Sequence, residues 1–105
     1  MDYKTKTIIV DKNKRKTSNI LTKYEYVNII NVRAQQIESD IEYKKNPKIF
    51  IDVNQLNETK LHDAIYIATE EFKQQKIPFI ITRKIGNTQI EYWSLIDDNM
   101  IYIDD

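Results

Sequence analysis

Apolar residues recur at a helical spacing over residues 21–37, the longest periodic stretch of the chain. Thr22 and Glu25 stand at the start of this stretch, three residues apart. This is the spacing of a capping box, in which the Thr hydroxyl accepts a hydrogen bond from the backbone N–H of residue 25 and the Glu carboxylate accepts one from that of residue 22. The pattern therefore predicts a capped helix from residue 22 to about residue 39.

The apolar positions of this helix form more than one face. At about 100° per residue, the larger stripe contains Tyr26, Val27, Ile30, Ala34 and Ile37. A smaller patch, Ile29 and Val32, lies away from that stripe. Because a helix in a small monomer needs only one apolar face, the sequence predicts that the smaller patch meets a partner protein.

Arg33 lies in the gap between the two patches, where an unpaired guanidinium would be costly to bury. Its five donors form a rigid fork that suits a carboxylate or several backbone carbonyls. Two interpretations follow. Arg33 clamps a segment of a partner, which is the interpretation we favour, or it pairs with a carboxylate of its own chain.

The rest of the chain predicts one more helix and a hairpin. A second helix runs from about residue 60 to residue 75 and carries Ala64 at the edge of an apolar stripe formed by Leu61, Ile65, Ala68 and Phe72. Residues 44–47 break structure, and runs of β-formers predict short strands at 8–10, 49–53, 79–81, 90–93 and 100–103. Gly86 and Asn87 signal a hairpin turn. The sequence thus predicts an α+β fold, with two main helices followed by a small antiparallel sheet.

Charge is balanced over the whole chain but not along it. The 105 residues include 16 Lys and Arg and 16 Asp and Glu, and this length fits a single domain. Basic residues are concentrated near the start, at Lys4, Lys6, Lys12, Lys14, Arg15 and Lys16. We therefore predict a flexible basic arm over residues 1–20 and a folded domain over residues 21–105.

Composition excludes several classes of function. With no cysteine and one histidine, the chain offers neither a thiolate nucleophile nor a thiolate metal site, and its single glycine excludes a phosphate-cradling loop. The sequence therefore predicts no enzyme activity for the chain alone, no cofactor and no metal. No apolar run reaches the length of a membrane helix and no signal peptide is visible. We expect a soluble intracellular protein, in the nucleus, the cytoplasm or a virion depending on its source.

Two separated motifs carry further information. The first is Thr-Lys-Tyr-Glu at 22–25 followed by Val-Arg-Ala-Gln-Gln-Ile at 32–37. The second is Ile-Ala at 67–68, Glu-Phe-Lys at 71–73 and Lys-Ile-Pro-Phe-Ile-Ile at 76–81, followed by Arg83 and Glu-Tyr-Trp at 91–93. In this order they resemble the omega-type small subunit of multisubunit DNA-dependent RNA polymerases. That family includes the common sixth subunit of eukaryotes, subunit K of archaea, bacterial omega and counterparts in large DNA viruses. The bias of this chain toward Ile, Lys and Asn suits an A+T-rich genome, as in several such viruses.

The resemblance implies an omega-like fold and a non-catalytic subunit that clamps and stabilises the largest polymerase subunit and aids assembly during transcription. The chain would bind the rest of the polymerase complex and contact DNA only indirectly, with no membrane and no small-molecule substrate. The implied partner interface contains Thr22, Lys23, Tyr24, Arg33, Gln36, Pro78, Arg83 and Trp93.

The residues alone leave a function of another class open. A free-standing nucleic-acid-binding or transcription-regulatory domain would use the basic arm together with basic and aromatic side chains of the last third of the chain. These side chains are Arg83, Lys84, Tyr92, Trp93 and Tyr102. Aromatic residues of a sheet more often pack against their neighbours, so we favour the polymerase subunit.

Overall fold

Two helices and a three-stranded mixed sheet form the fold in the computed structural model, which describes residues 6–42 and 48–104. In chain order the main elements are β1 (Ile8–Ile9), α1 (Lys23–Glu42), α2 (Ala64–Lys73), β2 (Ile80–Ile85) and β3 (Gln89–Ser94). The predicted α+β class is confirmed. The predicted break at 44–47 lies outside the described residues. Neither helix of the described residues is long and apolar enough to cross a membrane.

The sheet is built on the predicted hairpin. β2 and β3 pair antiparallel, and Gly86 lies in the turn between them with a φ of 64°, a left-handed conformation that glycine adopts without steric cost. β1 pairs in parallel with the other side of β3, so the strand order is β1-β3-β2. The predicted strand at 8–10 therefore joins the hairpin and makes the sheet mixed instead of purely antiparallel.

The predicted last strand at 100–103 is reduced to a single bridge. The backbone N–H of Leu21 donates to the carbonyl of Ile101 at 2.8 Å, and the N–H of Ile101 donates to the carbonyl of Asn19 at 3.0 Å. Met100, beside this bridge, is buried. The segment that leads into α1 is thereby tied to the segment that follows β3.

The helix α1 lies between two hydrophobic cores. Its residues Ile30, Ala34 and Ile37 are buried against α2 and the segment before it. Ile29 points the other way, into a second core that the sheet and its flanking segments supply through Leu21, Ile77, Trp93, Leu95 and Met100.

The two cores explain the second apolar patch of α1. Ile29 is 2% exposed, so the prediction that it meets a partner is wrong: the chain's own sheet side covers it. Val32 is 38% exposed and remains available to a partner. Val27, which the periodicity assigned to the larger stripe, is 44% exposed and lies outside both cores.

The helix α2 is shorter than predicted, and one residue of its predicted apolar stripe lies outside the core. Asp63 caps it, with its carboxylate accepting from the backbone N–H of Tyr66 at 3.1 Å. Ile67 is fully buried, whereas Ile65 of the predicted stripe is 55% exposed. Ala64 and Ala68 of the predicted set are buried, and Leu61 and Phe72 pack against the same core. The buried face is therefore shifted toward Ile67 and Glu71, which are both fully buried.

The end of α2 is a Schellman motif. Gln75 adopts a left-handed φ of 55°, its N–H donates to the carbonyl of Phe72 at 2.9 Å, and the N–H of Lys76 donates to that of Glu71 at 3.0 Å. The chain thus leaves α2 next to residues 76–78, where the sequence predicts the end of the helix. Ile77, the next residue, is 1% exposed and enters the core on the sheet side.

No strand forms at the described residues 49–53, contrary to the prediction. Two 3₁₀ turns follow instead, Val53–Gln55 and Glu58–Lys60. The side chains of Asp52 and Asn57 accept hydrogen bonds from backbone N–H groups two residues later, at 2.9 and 3.0 Å. Such local hydrogen bonds compete with strand pairing. Leu56 is buried against the helices, so this segment packs on the domain.

Candidate partner-binding surface

The start of α1 presents polar and aromatic groups at a fixed position. The backbone N–H of Thr22 donates to Glu25 Oε1 at 2.9 Å, and the N–H of Glu25 donates to Thr22 Oγ1 at 3.0 Å. These are the two hydrogen bonds of a capping box. Lys23 is exposed, and Tyr24 is 80% exposed. Because the cap fixes the first turn, both side chains project from a defined point on the domain.

Arg33 is engaged inside the chain. Its Nε donates to Glu71 Oε1 at 2.6 Å and its Nη2 donates to Glu71 Oε2 at 2.9 Å. The two side chains are 5% and 0% exposed, and we call them the buried pair. This corrects the interpretation that we favoured, in which Arg33 clamps a partner. It is the internal brace that the sequence left as the alternative, because a guanidinium at this depth needs a carboxylate within reach.

The buried pair also fastens an irregular segment to both helices. Arg33 Nη2 donates to the backbone carbonyl of Lys48 at 2.6 Å, and the backbone N–H of Phe50 donates to Glu71 Oε2 at 2.8 Å. The guanidinium carbon of Arg33 lies 4.2 Å from the centre of the Phe50 ring. The oxygens of Glu71 thus have donors from the other helix and from the segment at 48–50, which offsets the cost of burying the carboxylate.

A second arginine–glutamate pair, the cap pair, links β2 to the start of α1. Arg83 Nε donates to Glu25 Oε2 and Arg83 Nη2 donates to Glu25 Oε1, both at 2.9 Å. The hydrogen bonds from the Arg83 guanidinium hold the pKa of the Glu25 carboxyl below its ordinary value. The same guanidinium donates to the carbonyls of Ser18 at 2.6 Å and Ile20 at 3.0 Å. The predicted interface residue Arg83 is therefore an internal contact.

Glu91 is fully buried in the sheet without a salt bridge among the described residues. Its oxygens accept from the Thr17 hydroxyl, from the backbone N–H of Lys16 at 2.7 Å and from Trp93 Nε1 at 3.0 Å. Burial raises the pKa of Glu91, but these hydrogen bonds together outweigh it and lower the pKa to about 2. The carboxylate is therefore charged near neutral pH and holds the segment at 16–17 against β3.

Arg15 attaches the same segment to β3 and to the residues that follow it. Its guanidinium carbon lies 3.8 Å from the centre of the Trp93 ring, and its Nη2 donates to Asp98 Oδ2 at 3.1 Å. The hydrogen bond from Arg15 lowers the pKa of Asp98. In the described part of the predicted basic arm, residues 6–20, these contacts add to the strand pairing of β1. The flexibility of the arm and its boundary at residue 20 stay predictions.

These contacts bear on the nucleic-acid alternative. Trp93 is 6% exposed, Arg83 is held by Glu25, and Tyr102 stacks on Tyr26 with ring centres 4.1 Å apart. Stacking on bases requires open ring faces. The hairpin therefore lacks most of the surface on which that alternative depended, and Trp93, a predicted interface residue, is part of the core.

The remaining predicted interface residues are exposed, namely Thr22, Lys23, Tyr24, Gln36 and Pro78. Val32, Pro78 and Ile80 line a groove of about 350 Å³ between α1 and β2, and Ile80 is 58% exposed. Tyr24 lies about two turns before Val32 on α1 and lines the neighbouring groove along β2. We call the exposed residues Tyr24, Val32, Pro78 and Ile80 the open face.

Sequence reasoning gave Glu71 no role as the partner of Arg33, although the chain carries a signal for it. Glu71 follows Ile67 by four residues and Ala68 by three, so it shares their helix face. An acidic residue on one buried face and Arg33 on another predict a cross-helix pair. The predicted stripe included Ile65 and omitted Ile67, so it did not identify the side of α2 that carries Glu71 as buried.

Among residues 6–42 and 48–104, no group of three side chains from His, Cys, Asp and Glu is placed to hold a metal ion.

Several known proteins are similar to this chain over most of its length. It is 36% identical over 77 residues to the DNA-directed RNA polymerase subunit Rpo6 of Saccharolobus solfataricus, covering 73% of this chain and 72% of that protein. It is 36% identical over 81 residues to the DNA-directed RNA polymerases II and V subunit 6B of Arabidopsis thaliana, covering 77% of this chain and 49% of that protein.

A yeast protein gives a longer match. The chain is 34% identical over 86 residues to the DNA-directed RNA polymerases I, II, and III subunit RPABC2 of Saccharomyces cerevisiae, covering 82% of this chain and 48% of that protein. The chain therefore spans about half the length of the plant and yeast relatives. No protein-family model matches it.

Proposed function

The chain belongs to the family of RNA polymerase subunits that contains Rpo6 and RPABC2, and on that premise we propose that it is a non-catalytic subunit of a DNA-directed RNA polymerase. Its partner in this proposal is the largest subunit of the polymerase. It stabilises that subunit and aids assembly of the complex. The catalytic groups belong to other subunits.

The observation that carries this proposal is the open face. Tyr24 is 80% exposed and Val32 is 38% exposed, both on the side of α1 that borders the grooves along β2. With Pro78 and Ile80 they form the apolar part of this surface. Apolar surface gathered on one side of a small domain is typical of a protein–protein interface, with an exposed aromatic residue as its anchor.

The mechanism of assembly in this proposal is loop closure. A long chain loses less entropy on folding when a rigid body already holds two of its distant segments together. A subunit that binds only the folded form also stabilises that form by mass action. The buried pair and the cap pair support this role because they fix α1 to α2, to β2 and to two irregular segments.

Co-expression with the largest polymerase subunit from the same genome tests the proposed partner. We expect the two chains to elute together at a 1:1 ratio in size-exclusion chromatography. Tyr24→Ala and Val32→Asp should each weaken binding about tenfold or more, the loss typical of an interface anchor. Ile65→Asp is the matched control, since Ile65 is an exposed apolar residue of α2, outside the open face. Separate elution of the unmodified chains would refute the proposed partner.

Reconstitution tests the non-catalytic role. Polymerase assembled from denatured subunits without this chain should give a lower yield of complex, while each assembled complex keeps its rate of nucleotide addition. The yield is measured by native electrophoresis and the rate by single-turnover extension of an RNA primer. An equal yield with a reduced rate per complex would show that the chain acts in the chemistry and not in assembly.

A further inference from the structure

The outer side of β2 is an open strand edge. Leu95 N–H donates to the Phe79 carbonyl at 3.0 Å across the hairpin. Bonding and non-bonding pairs alternate along an antiparallel ladder, so Ile80, Thr82 and Lys84 belong to the non-bonding pairs. Their backbone N–H and carbonyl groups point away from β3. Among the described residues no backbone group pairs with them, and all three residues are exposed.

The surface beside this edge changes character along its length. At the start of β2 the groove of about 350 Å³ is apolar, with Val32 on one side and Pro78 and Ile80 on the other. At the end of β2 a second groove of about 530 Å³ adds polar and charged residues, among them Thr22 and Lys84, to apolar ones such as Ile20 and Ile85, and we call it the polar end. The two grooves follow one strand, so a single extended peptide reaches both.

The polar end carries uncompensated positive charge. Glu25 and Arg83, which also line the second groove, neutralise each other through the cap pair. Lys84, which lines the same groove, is exposed and makes no salt bridge among the described residues. A carboxylate of a partner therefore complements this end of the strand. A lysine in an edge strand also discourages indiscriminate pairing between copies of the chain, which favours a different protein as the occupant.

We propose that the open edge of β2 pairs with an extended segment of the polymerase subunit that this chain binds, adding a fourth strand to the sheet. This inference rests on the proposed function. Main-chain hydrogen bonds to Ile80, Thr82 and Lys84 hold the segment, and side chains at alternate positions select it. The segment places an apolar side chain in the groove at Val32 and an acidic side chain beside Lys84.

Amide hydrogen exchange of the chain in the purified complex with the largest subunit, resolved to single residues by mass spectrometry, tests the inference. In the free chain the N–H groups of Ile80, Thr82 and Lys84 should exchange rapidly, whereas those of Ile81, Arg83 and Ile85 are held by β3. In the complex the first three should slow about tenfold or more. A complex that leaves their exchange unchanged would overturn the added strand but keep the proposed function. If no complex forms, both the added strand and the proposed function are refuted.

Two substitutions give an independent test. Thr82→Pro removes one outward N–H, which an edge strand tolerates, and should weaken binding to the largest subunit about tenfold, the equivalent of one main-chain hydrogen bond. Thr82→Ala, its matched control, keeps the N–H and should bind within about twofold of the unmodified chain. Equal binding by the two variants would overturn the inference.

Lys84→Glu covers the case in which Thr82→Pro disturbs the hairpin. It should weaken binding about fivefold or more at low salt, and less as salt rises. Lys14→Glu, on the exposed 3₁₀ turn Lys12–Lys14, is the control of equal charge change and should bind like the unmodified chain. Equal weakening by the two variants would mean that net charge, and not a carboxylate beside Lys84, accounts for the effect, and the inference would fail.

Discussion

Two arginine–glutamate pairs hold α1, one at its first turn and one near its middle, and they differ chiefly in burial. Each guanidinium meets its carboxylate with two hydrogen bonds of 2.6–2.9 Å, and each fastens an irregular segment of backbone. The buried pair holds the segment at 48–50, and the cap pair holds the segment at 17–20. The side chains of the buried pair are 5% and 0% exposed, and those of the cap pair 11% and 17%.

Because of this difference in burial, the stabilisation by the buried pair should not depend on salt, whereas that by the cap pair should. In the buried pair, loss of either charge leaves the other without water or partner, which is among the most costly changes in a protein interior. In the cap pair, water reaches both groups and salt screens them in part. The first should therefore determine whether the helices assemble at all, and the second how firmly the sheet is held to α1.

Removal of Glu71 should have the largest effect. Glu71→Ala leaves the Arg33 guanidinium buried without its carboxylate, and we expect a loss of about 3–5 kcal/mol in the free energy of unfolding. Urea denaturation followed by circular dichroism measures it. Glu70→Ala is the matched control, since Glu70 is 27% exposed and pairs with Lys73 only at the surface; it should cost no more than about 0.5 kcal/mol. Equal losses would show that the buried pair is not a brace.

Removal of Arg83 should cost less and should depend on salt. Arg83→Ala deletes hydrogen bonds to Glu25 and to two carbonyls, and we expect a loss of about 2–3 kcal/mol at low ionic strength. The loss should shrink in 1 M salt, unlike that of Glu71→Ala. Lys84→Ala, a neighbouring exposed basic residue, should be close to neutral. If the loss of stability in Arg83→Ala did not depend on salt, the cap pair would be as well shielded from water as the buried pair.

Acid should weaken the sheet side of the domain through Glu91. The pKa of Glu91 is about 2 in the folded chain, below its ordinary value of 4.5, so the unfolded chain binds this proton first as the pH falls. The stabilisation by Glu91 is complete above about pH 4.5 and is lost progressively toward pH 2.

Fluorescence of Trp93, the single tryptophan, should report this loss at the sheet. Glu91→Gln replaces a carboxylate oxygen by an NH₂ group that faces the donors of Lys16, Thr17 and Trp93. It should lower the free energy of unfolding by about 2 kcal/mol at pH 7. It should also flatten the pH dependence between pH 4.5 and pH 2, measured as the urea midpoint at each pH. A variant with the same pH dependence as the unmodified chain would assign the effect to another carboxylate.

Removal of the capping hydroxyl should have the smallest effect. Thr22→Ala loses the hydrogen bond from the Glu25 N–H and should cost about 1 kcal/mol. Thr22→Ser keeps the hydroxyl and should remain within about 0.3 kcal/mol of the unmodified chain. Thermal denaturation resolves the two. A larger loss in Thr22→Ala than in Arg83→Ala would mean that the cap, and not the cap pair, holds the start of α1.

Local features of the fold were predictable from sequence, because their causes lie within a few residues. The spacing of Thr22 and Glu25 predicts the start of α1, and Gly86 predicts the hairpin. The prediction of a strand at 49–53 was wrong because the side chains of Asp52 and Asn57 accept hydrogen bonds from backbone N–H groups two residues later. The β-propensity of the residues does not take such local bonds into account.

The candidate site was harder to predict, because its key contacts join distant parts of the chain. Arg33 and Glu71 are 38 residues apart, and only the packing of α1 on α2 brings them together. The helical periodicity predicted that Ile29 contacts a partner. It could not show that the segments around the sheet form a second core, which covers Ile29. The resemblance to polymerase subunits supplied Tyr24 and Pro78, whose places in an interface stay predictions.

The early and late segments meet through pairs that are far apart in sequence, and this sets an order of events during synthesis. Arg15 and Asp98, 83 residues apart, bond across the sheet, and Ile20 bridges Ile101. Contacts of such long range slow folding, because the intervening chain must be gathered first. On the ribosome, α1 and α2 can therefore dock early, while the core on the sheet side waits until residues 100 and 101 have left the exit tunnel. Until then the side of α1 that holds Ile29 is not fully covered, and the nascent chain is at its most vulnerable to aggregation.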